Sequence, residues 1–486
     1  MSGISKQVLA GSIWMVGMQW VIKLLGIVST IILARLLLPS DYGIVAMASL
    51  VVSLLQTITE TGIAPYLIRK SDIVRKDYDT AWTLKLFIYI FLGLILFFFA
   101  EYFAGFFNNQ LLTDVFKVLA ANVAISGFLN IGLIALQKKL EYGRIFLHGV
   151  IVKISGFIVT VYFAYLLKNY WAMVYGTLAT TIVSVLFSYV VSRYIPKLTV
   201  SGFRQQWAFS KWYLIKNFSG YARMKTDQIV VGKFLGVEMM GRYTMSLELA
   251  DLPASEVIYP ALAPVYAGYA KLLNEPDKLD NAFITVVGLV SVIALPMFMG
   301  LMVIAEEFIP LMLGEKWLSI IPLFQSALIL VMTQLYTYVL SNYLTVVGKI
   351  KLLSLMDWGM VICLIPVLIY LSLNYNAIYV VFGRAFLALC VMPFFLIYIK
   401  KFNKLSLLRV FMVIIRPLAV TLIMGAVVCY VAQFLPKDMM VALIIKITTG
   451  IFTYSILLLA LWWITGMREG GERFIYGNLK AYVSRI

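Results

Sequence analysis

The chain has 486 residues, of which 62% are hydrophobic and 13% are charged. A soluble protein of this length needs a more polar surface, so the composition excludes that class and indicates a polytopic membrane protein. The net charge of +17 is explained by basic cytoplasmic loops and gives no argument for a nucleic-acid partner. The three cysteines and one histidine lie apart in apolar runs, so neither a disulfide framework nor a metal site is predicted.

Long apolar runs predict membrane-spanning helices, because about twenty helical residues are needed to cross the hydrocarbon core of a bilayer. The first run ends at a short polar break, Arg35–Gly43. Pro39 and Gly43 disfavour a continuous helix there, so a helical hairpin with a tight, exposed turn is predicted. Fourteen runs follow one another, at about 8–34, 44–68, 80–105, 112–137, 144–168, 170–194, 210–232, 240–267, 280–305, 320–347, 350–373, 376–400, 407–434 and 439–465. Continuous hydrophobicity favours helices over barrel strands, so the predicted fold class is an all-α integral membrane protein with 14 transmembrane helices.

The basic residues of the loops orient this arrangement. If the N-terminus is cytoplasmic, the loops on that side hold 24 Lys and Arg residues and those on the other side hold 6. Cytoplasmic loops carry the excess of positive charge, so both termini are predicted to be cytoplasmic.

The polar break has a weak counterpart 198 residues later. Ala34–Gly43 resembles Gly232–Gly241 at this offset, and Ala64-Pro65 resembles Ala263-Pro264 at an offset of 199. The offset maps helices 1 and 2 onto helices 7 and 8, which predicts two pseudo-symmetric six-helix lobes followed by two C-terminal helices. The predicted divisions are an N-terminal lobe at 1–195, a cytoplasmic linker at 196–209, a second lobe at 210–400, helices 13–14 at 401–466 and a basic tail at 467–486.

Charged residues inside the predicted spans are candidates for binding, because each costs about 2.5–3.5 kcal/mol at the bilayer centre on insertion scales. Lys23 lies mid-span, and Gln19, one turn earlier, shares its helix face. Lys117 and Lys153 add cations in the fourth and fifth spans. The spans of the first lobe contain few acids, essentially Glu60 and Glu101, so we predict a wet, cationic cavity that binds an anion. The alternative is that these lysines form internal ion pairs.

The seventh and eighth spans carry both signs of charge. Arg223 is predicted to join the cationic substrate site, although Asp227 lies four residues later and could pair with it. Glu248 and Asp251 share one face of the eighth span. These three acids, with Glu60, are candidates for ion coupling or gating, or for salt bridges between the lobes. Lys85 and Lys446 lie near predicted span ends, where snorkelling to the interface accounts for them.

The chain lacks the sequence motifs of several enzyme classes. There is no phosphate-binding loop, no nucleophile elbow and no zinc motif, and neither a cofactor nor a metal is predicted. The predicted outer loops are short, which favours a transporter over a membrane glycosyltransferase or a polysaccharide polymerase.

Several short segments resemble a known family of transporters. The chain is similar to the polysaccharide transporter family, which includes Wzx-type flippases, at Gly11–Trp14, Ile32–Gly43 and Thr61–Tyr66, and again at Asp227–Gly236 and Pro260–Pro264. The resemblance implies the multidrug/oligosaccharidyl-lipid/polysaccharide exporter fold in a bacterial cytoplasmic membrane. The implied function is not enzymatic: it is alternating-access transfer of undecaprenyl-pyrophosphate-linked oligosaccharides from the inner to the outer leaflet, for O-antigen, capsule or exopolysaccharide biosynthesis.

The resemblance also implies partners. These are the lipid-linked oligosaccharide, membrane lipids, a polysaccharide polymerase and a chain-length regulator. The family offers no invariant catalytic residues, so the site residues above rest on charge alone. The alternative function is a drug/cation antiporter of the same fold, for which an acidic cavity would be expected.

Overall fold

The computed structural model describes residues 3–59, 67–68, 70, 72–201, 203–402, 406–436, 438–465 and 471. In these ranges the regular structure is helical and contains no β-strand. The helices up to Pro253 are α1 (Gly3–Leu36), α2 (Pro39–Thr59), α3 (Arg75–Phe98), α4 (Ala100–Phe106), α5 (Leu111–Ser126), α6 (Gly132–Lys138), α7 (Tyr142–Leu167), α8 (Trp171–Val191), α9 (Phe203–Phe234) and α10 (Gly236–Pro253).

A π-helical turn, Ala254–Ile258, follows α10, and a 3-10 turn, Glu315–Ile320, precedes α14. The remaining helices are α11 (Tyr259–Lys271), α12 (Pro276–Val303), α13 (Ala305–Leu313), α14 (Ile321–Val346), α15 (Ile350–Asn374), α16 (Ala377–Phe402), α17 (Leu407–Ala432) and α18 (Met439–Ile464).

Eleven helices in the described part of the chain are long and apolar enough to cross a membrane. This makes the chain a multi-pass membrane protein. Three of the fourteen predicted spans fall outside this set. The run at 112–137 divides into α5, of 16 residues, and α6. The run at 210–232 lies in the polar helix α9. The run at 240–267 is interrupted between α10 and α11, where Pro253 and Pro260 each lack a backbone donor.

The chain forms two compact units, Met1–Gly241 and Arg242–Ile486. The first unit contains the closely packed pairs α7–α8, α3–α5, α1–α7 and α2–α9. The second contains the pairs α12–α17, α14–α16 and α17–α18. Since α9 belongs to the first compact unit, these units differ from the predicted lobes, whose boundaries at 195 and 210 stay a prediction from the repeat.

The hairpin turn between α1 and α2 is formed as predicted but is mostly buried, with only Arg35 and Leu38 exposed. Asp41 is 8% exposed, and Pro39 and Gly43 are buried as well. One carboxylate oxygen of Asp41 accepts a hydrogen bond from the Leu38 amide at 2.9 Å, and the other accepts from the Tyr170 amide at 3.0 Å. The turn is buried because a distant loop of the same unit hydrogen-bonds to it, which the local sequence pattern does not reveal.

The break inside the predicted fourth span is held by the buried side chain of Asn130. Its Oδ1 accepts from the Gly132 amide at 2.8 Å, while its Nδ2 donates to the carbonyls of Ser192 and Tyr194 at 3.1 and 2.7 Å. Asn130 therefore fixes the start of α6 and the segment after α8 together. The Tyr194 hydroxyl donates to Asp79 at 2.6 Å, and burial, followed by this carboxylate, raises the Tyr194 pKa above its ordinary value.

We expect Asn130→Ala to lower the free energy of unfolding by about 1–3 kcal/mol, because it leaves buried backbone groups without hydrogen-bond partners. Thermal unfolding of the purified protein in detergent measures this effect. Asn374→Ala is the control, since the Asn374 side chain is exposed and bonds only one carbonyl in its own helix. Equal melting temperatures for both variants would contradict the anchoring role of Asn130.

The two C-terminal helices are integral to the second unit. The Tyr454 hydroxyl of α18 donates to the Val292 carbonyl of α12 at 2.8 Å. The Lys446 ammonium lies 2.7 Å from Oε1 of Glu307, and these two side chains are 6% and 14% exposed. The snorkelling predicted for Lys446 is therefore wrong, because a carboxylate 139 positions away in sequence takes the place of water.

Candidate functional site

Helices α1 and α7 lie side by side and parallel in the first unit. The rings of Trp14 and Phe146 are 5.0 Å apart. Further along both helices, a Cβ built on Gly149 would lie 2.6 Å from Met18 Sδ and 3.7 Å from Ile22. The numbers of the contacting residues rise together along the two helices, so the helices run in the same direction.

This register brings two of the predicted cations to one level. Lys153 follows Gly149 by one turn, on the face of α7 that contacts α1, and Lys23 directly follows Ile22. Both lysines are half-buried, whereas Gln19 is exposed. The Lys153 side chain has no hydrogen bond or ion pair with any residue that the structure describes. Two ammonium groups at one depth in membrane-spanning helices can attract an anion that carries more than one negative charge.

Lys117 lies on a different part of the unit. It is half-buried on α5, in the second turn of that helix, and α5 packs mainly against α3 and α8. Among the described residues the Lys117 side chain also has no hydrogen-bond or ion-pair partner. The structure therefore brings Lys23 and Lys153 to one level and places Lys117 on another helix of the same unit.

Arg223 and Asp227 are positioned by the packing of α9 on α2. The Tyr221 hydroxyl donates to the Leu50 carbonyl of α2 at 2.6 Å. Asp227 is 1% exposed and Arg223 is half-buried, one turn apart on α9. Nearby, the Lys225 ammonium donates to the Gln228 side chain at 3.0 Å. This part of α9 is a polar stretch in a helix that packs against the apolar helix α2.

The closest approach of the two repeated segments is a glycine crossing, formed by Pro39, Gly43, Val237 and Gly241. A Cβ added to Gly43 would overlap the carbonyl oxygen of Val237, and one added to Gly241 would overlap that of Pro39. The offset of 198 relates Gly43 to Gly241 and Pro39 to Val237. The contact is thus reciprocal between equivalent positions, as it would be around a two-fold axis.

The four acidic residues that are candidates for ion coupling differ in their location and exposure. Glu60 lies outside the described residues, and Asp227 belongs to the polar stretch of α9. Glu248 is exposed and Asp251 is half-buried, both on α10 of the second unit. Asp251 lies next to the helix interruption, where the Ser255 hydroxyl donates to its carbonyl at 3.0 Å.

Lys85, for which snorkelling was predicted, is a further cation of the first unit. It is half-buried on α3, with its ammonium 5.5 Å from the centre of the Tyr89 ring. The Tyr89 hydroxyl accepts from Thr59 at 3.0 Å. Tyr89 occurs one turn after Lys85 in the sequence, and this spacing is the signal that could have identified the cation–π pair.

Comparison with known proteins gives a consistent family assignment. Residues 32–322 match the family described as "Polysaccharide biosynthesis protein". The chain belongs to this family. The resemblance seen in the sequence is thereby confirmed.

Two relatives each match about two thirds of the chain. The lipopolysaccharide biosynthesis protein WzxC of Escherichia coli is 24% identical over 66% of this chain and 66% of its own length, so the match spans just under two thirds of that relative. The teichuronic acid biosynthesis protein TuaB of Bacillus subtilis is 21% identical over 66% of this chain and 68% of its own length.

Solved structures share the fold at low identity. The lipid II flippase MurJ, in an inward closed conformation, gives a TM-score of 0.76 at 13% identity, covering 95% of this chain and 100% of MurJ. An inward-facing multidrug transporter of the MATE family gives 0.60 at 14% identity, covering 79% and 96%. The predicted exporter fold is confirmed by these likenesses.

Proposed function

We propose that this protein moves an undecaprenyl-pyrophosphate-linked oligosaccharide from the inner to the outer leaflet of a bacterial cytoplasmic membrane. The observation that carries the proposal is the pair Lys23 and Lys153, two half-buried cations at one level of adjacent helices. A pyrophosphate is a compact anion with several negative charges, which such a pair suits. The family assignment and the names of the relatives support a role in surface-polysaccharide biosynthesis.

The proposed topology has fourteen spans and cytoplasmic termini. Eleven of these spans are the apolar helices. The other three are formed by α5 with α6, by α9, and by α10 with α11, which lie in the remaining predicted runs. The loop charges set the orientation. In this topology the glycine crossing lies at the outer face and the loop after α8 at the cytoplasmic face. A polysaccharide polymerase and a chain-length regulator are the proposed protein partners downstream.

We further propose that Arg223 contributes to the substrate site and Lys117 to the approach of the anion. The acids Glu60, Asp227, Glu248 and Asp251 are then candidates for coupling export to an ion gradient. Asp227 is the preferred candidate, because it is buried and lies on α9, in the same unit as the lysine pair. Loss of gradient dependence with retained export in Asp227→Asn is the result expected from coupling.

We expect the double variant Lys23→Gln/Lys153→Gln to reduce export roughly tenfold, since each cation near an anionic group contributes on the order of 1 kcal/mol. The assay uses a strain in which this protein is the only exporter. It measures surface polymer, together with the fraction of lipid-linked oligosaccharide that an impermeant oxidant reaches from outside. Accumulation of inaccessible oligosaccharide is the expected result.

Lys139→Gln is the matched control, because Lys139 is an exposed loop lysine of the same unit. All variants are compared at equal amounts in the membrane. Wild-type export by the double variant would remove the anion-binding proposal. Reduced export of a cationic drug, with normal surface polymer, would favour the antiporter instead.

A further inference from the structure

A pocket between the ends of α7 and α8 has no part in the proposed transport path. It has a volume of about 420 Å³ and is lined by Arg144, Leu147, Phe187, Val190, Val191 and Arg193. These residues define the arginine pocket. Arg144 lies in the first turn of α7 and Arg193 just after the end of α8. Two guanidinium groups therefore border a chamber whose other walls are apolar.

The arginines are available to a ligand. Arg193 makes no hydrogen bond or ion pair with any described residue. Arg144 lies 3.5 Å from the Glu141 carboxylate, but these side chains are 60% and 40% exposed, so the pair is weak and screened. Guanidinium groups bind phosphate oxygens through paired hydrogen bonds, which makes a phosphate the natural anion for two of them.

The apolar wall is held in place from behind. The Phe187 ring stacks on the His148 ring, with the centroids 6.2 Å apart and the planes 18° apart. Nε2 of His148 lies 3.0 Å from the Ser184 carbonyl of α8. The single histidine of the chain thus bridges α7 and α8 and orients the aromatic side of the pocket. These contacts hold the aromatic wall of the pocket against both helices.

Exposed apolar residues line the pocket and continue from it along α7 and α8. Leu147 and Val190 are 48% and 69% exposed. Other large apolar residues further along the two helices are also exposed: Ile154, Ile158, Tyr162, Ile182 and Leu186. In a membrane-spanning helix such residues face hydrocarbon chains. A free phosphate would use only the arginines, whereas a phospholipid would use both the arginines and this surface.

We propose that the arginine pocket binds one anionic phospholipid, with its phosphate between Arg144 and Arg193 and an acyl chain along Leu147 and Val190. Basic pockets between transmembrane helices on the cytoplasmic side are suited to anionic headgroups. With the orientation proposed above, the lipid belongs to the inner leaflet. The site is separate from Lys23 and Lys153 and does not depend on what the protein transports.

Native mass spectrometry of the purified full-length protein, titrated with phosphatidylglycerol or phosphatidylcholine, tests the proposal. We expect one phosphatidylglycerol to bind with a preference of roughly tenfold over phosphatidylcholine, from the two cations. Arg144→Gln/Arg193→Gln abolishes the preference. Lys139→Gln/Lys271→Gln removes the same charge from exposed positions outside the pocket and keeps it.

A second variant makes the test independent of charge and of any folding defect in the double arginine variant. Val190→Trp fills the pocket and leaves both arginines in place, so it should also lose the bound lipid. Retention of the preference in either variant overturns the proposal. Competition by inorganic phosphate as effective as that by phosphatidylglycerol, or binding of undecaprenyl phosphate in place of phosphatidylglycerol, overturns it as well, by identifying a free-anion site or a substrate site.

Discussion

Replacing Gly43 or Gly241 by alanine is expected to reduce export to about a tenth of the wild-type level or less, and to lower the melting temperature. In each case the added Cβ would overlap a backbone carbonyl oxygen, that of Val237 or of Pro39. A backbone atom cannot rotate out of the way as a side chain can. The two helices would have to separate, and overpacking of this kind costs typically 1–3 kcal/mol or more.

Because of the position of the glycine crossing, we expect export to be strongly reduced even in variants that still fold. In the proposed topology the crossing closes the outer ends of α2 and α10 against each other. A transporter that works by alternating access has to re-form such a closure in every cycle. A Cβ that keeps α2 and α10 apart would prevent this closure, so the proposed transport cycle could not be completed.

Two other glycines provide matched controls. Gly26 lies on α1 and Gly220 on α9, and a Cβ on either would have no heavy atom within 4 Å beyond the nearby backbone of its own helix. Alanine at these positions should leave export unchanged and favour the helix slightly. Surface polymer and thermal unfolding are measured for all four variants. Normal export by Gly43→Ala and Gly241→Ala would show that the crossing is not part of the transport cycle.

Breaking the ion pair between Lys446 and Glu307 is expected to cost about 3–5 kcal/mol of stability, because removal of one partner leaves an uncompensated charge in a buried place. The atoms are 2.7 Å apart and both side chains are largely buried. This pair ties α18 to α13, so the variants Lys446→Met and Glu307→Gln should each loosen the C-terminal helices of the second unit. A lower melting temperature in detergent is the expected observation.

The double variant Lys446→Met/Glu307→Gln separates the pair from its members. Since it leaves no buried charge, it should recover much of the loss, which a double-mutant cycle measures. Lys278→Met is the control, because the side chains of Lys278 and its partner Glu275 are 68% and 50% exposed. This variant should change stability little. Additive losses in the double variant would mean that the two charges act independently.

The sequence by itself determined the class of protein and the location of most helices. Whether a run of residues can span a bilayer depends on its own length and hydrophobicity, so the eleven apolar helices coincide with predicted runs. The break at Arg35–Gly43 was likewise predicted from Pro39 and Gly43. Two of the three runs that deviate, at 112–137 and 240–267, contain the polar anchor Asn130 or prolines, whose effects depend on hydrogen-bond partners elsewhere.

The tertiary structure decided which charges and glycines meet. Snorkelling was predicted for Lys446 because its partner Glu307 is remote in sequence. The turn that contains Asp41 was predicted to be exposed because its partner Tyr170 is remote as well. Lys23 and Lys153 could be proposed separately, but only the parallel register of α1 and α7 brings them to one level. Hydrophobicity is a local property of a segment, whereas pairing, close backbone approach and pocket formation depend on residues that the chain brings together only when it folds.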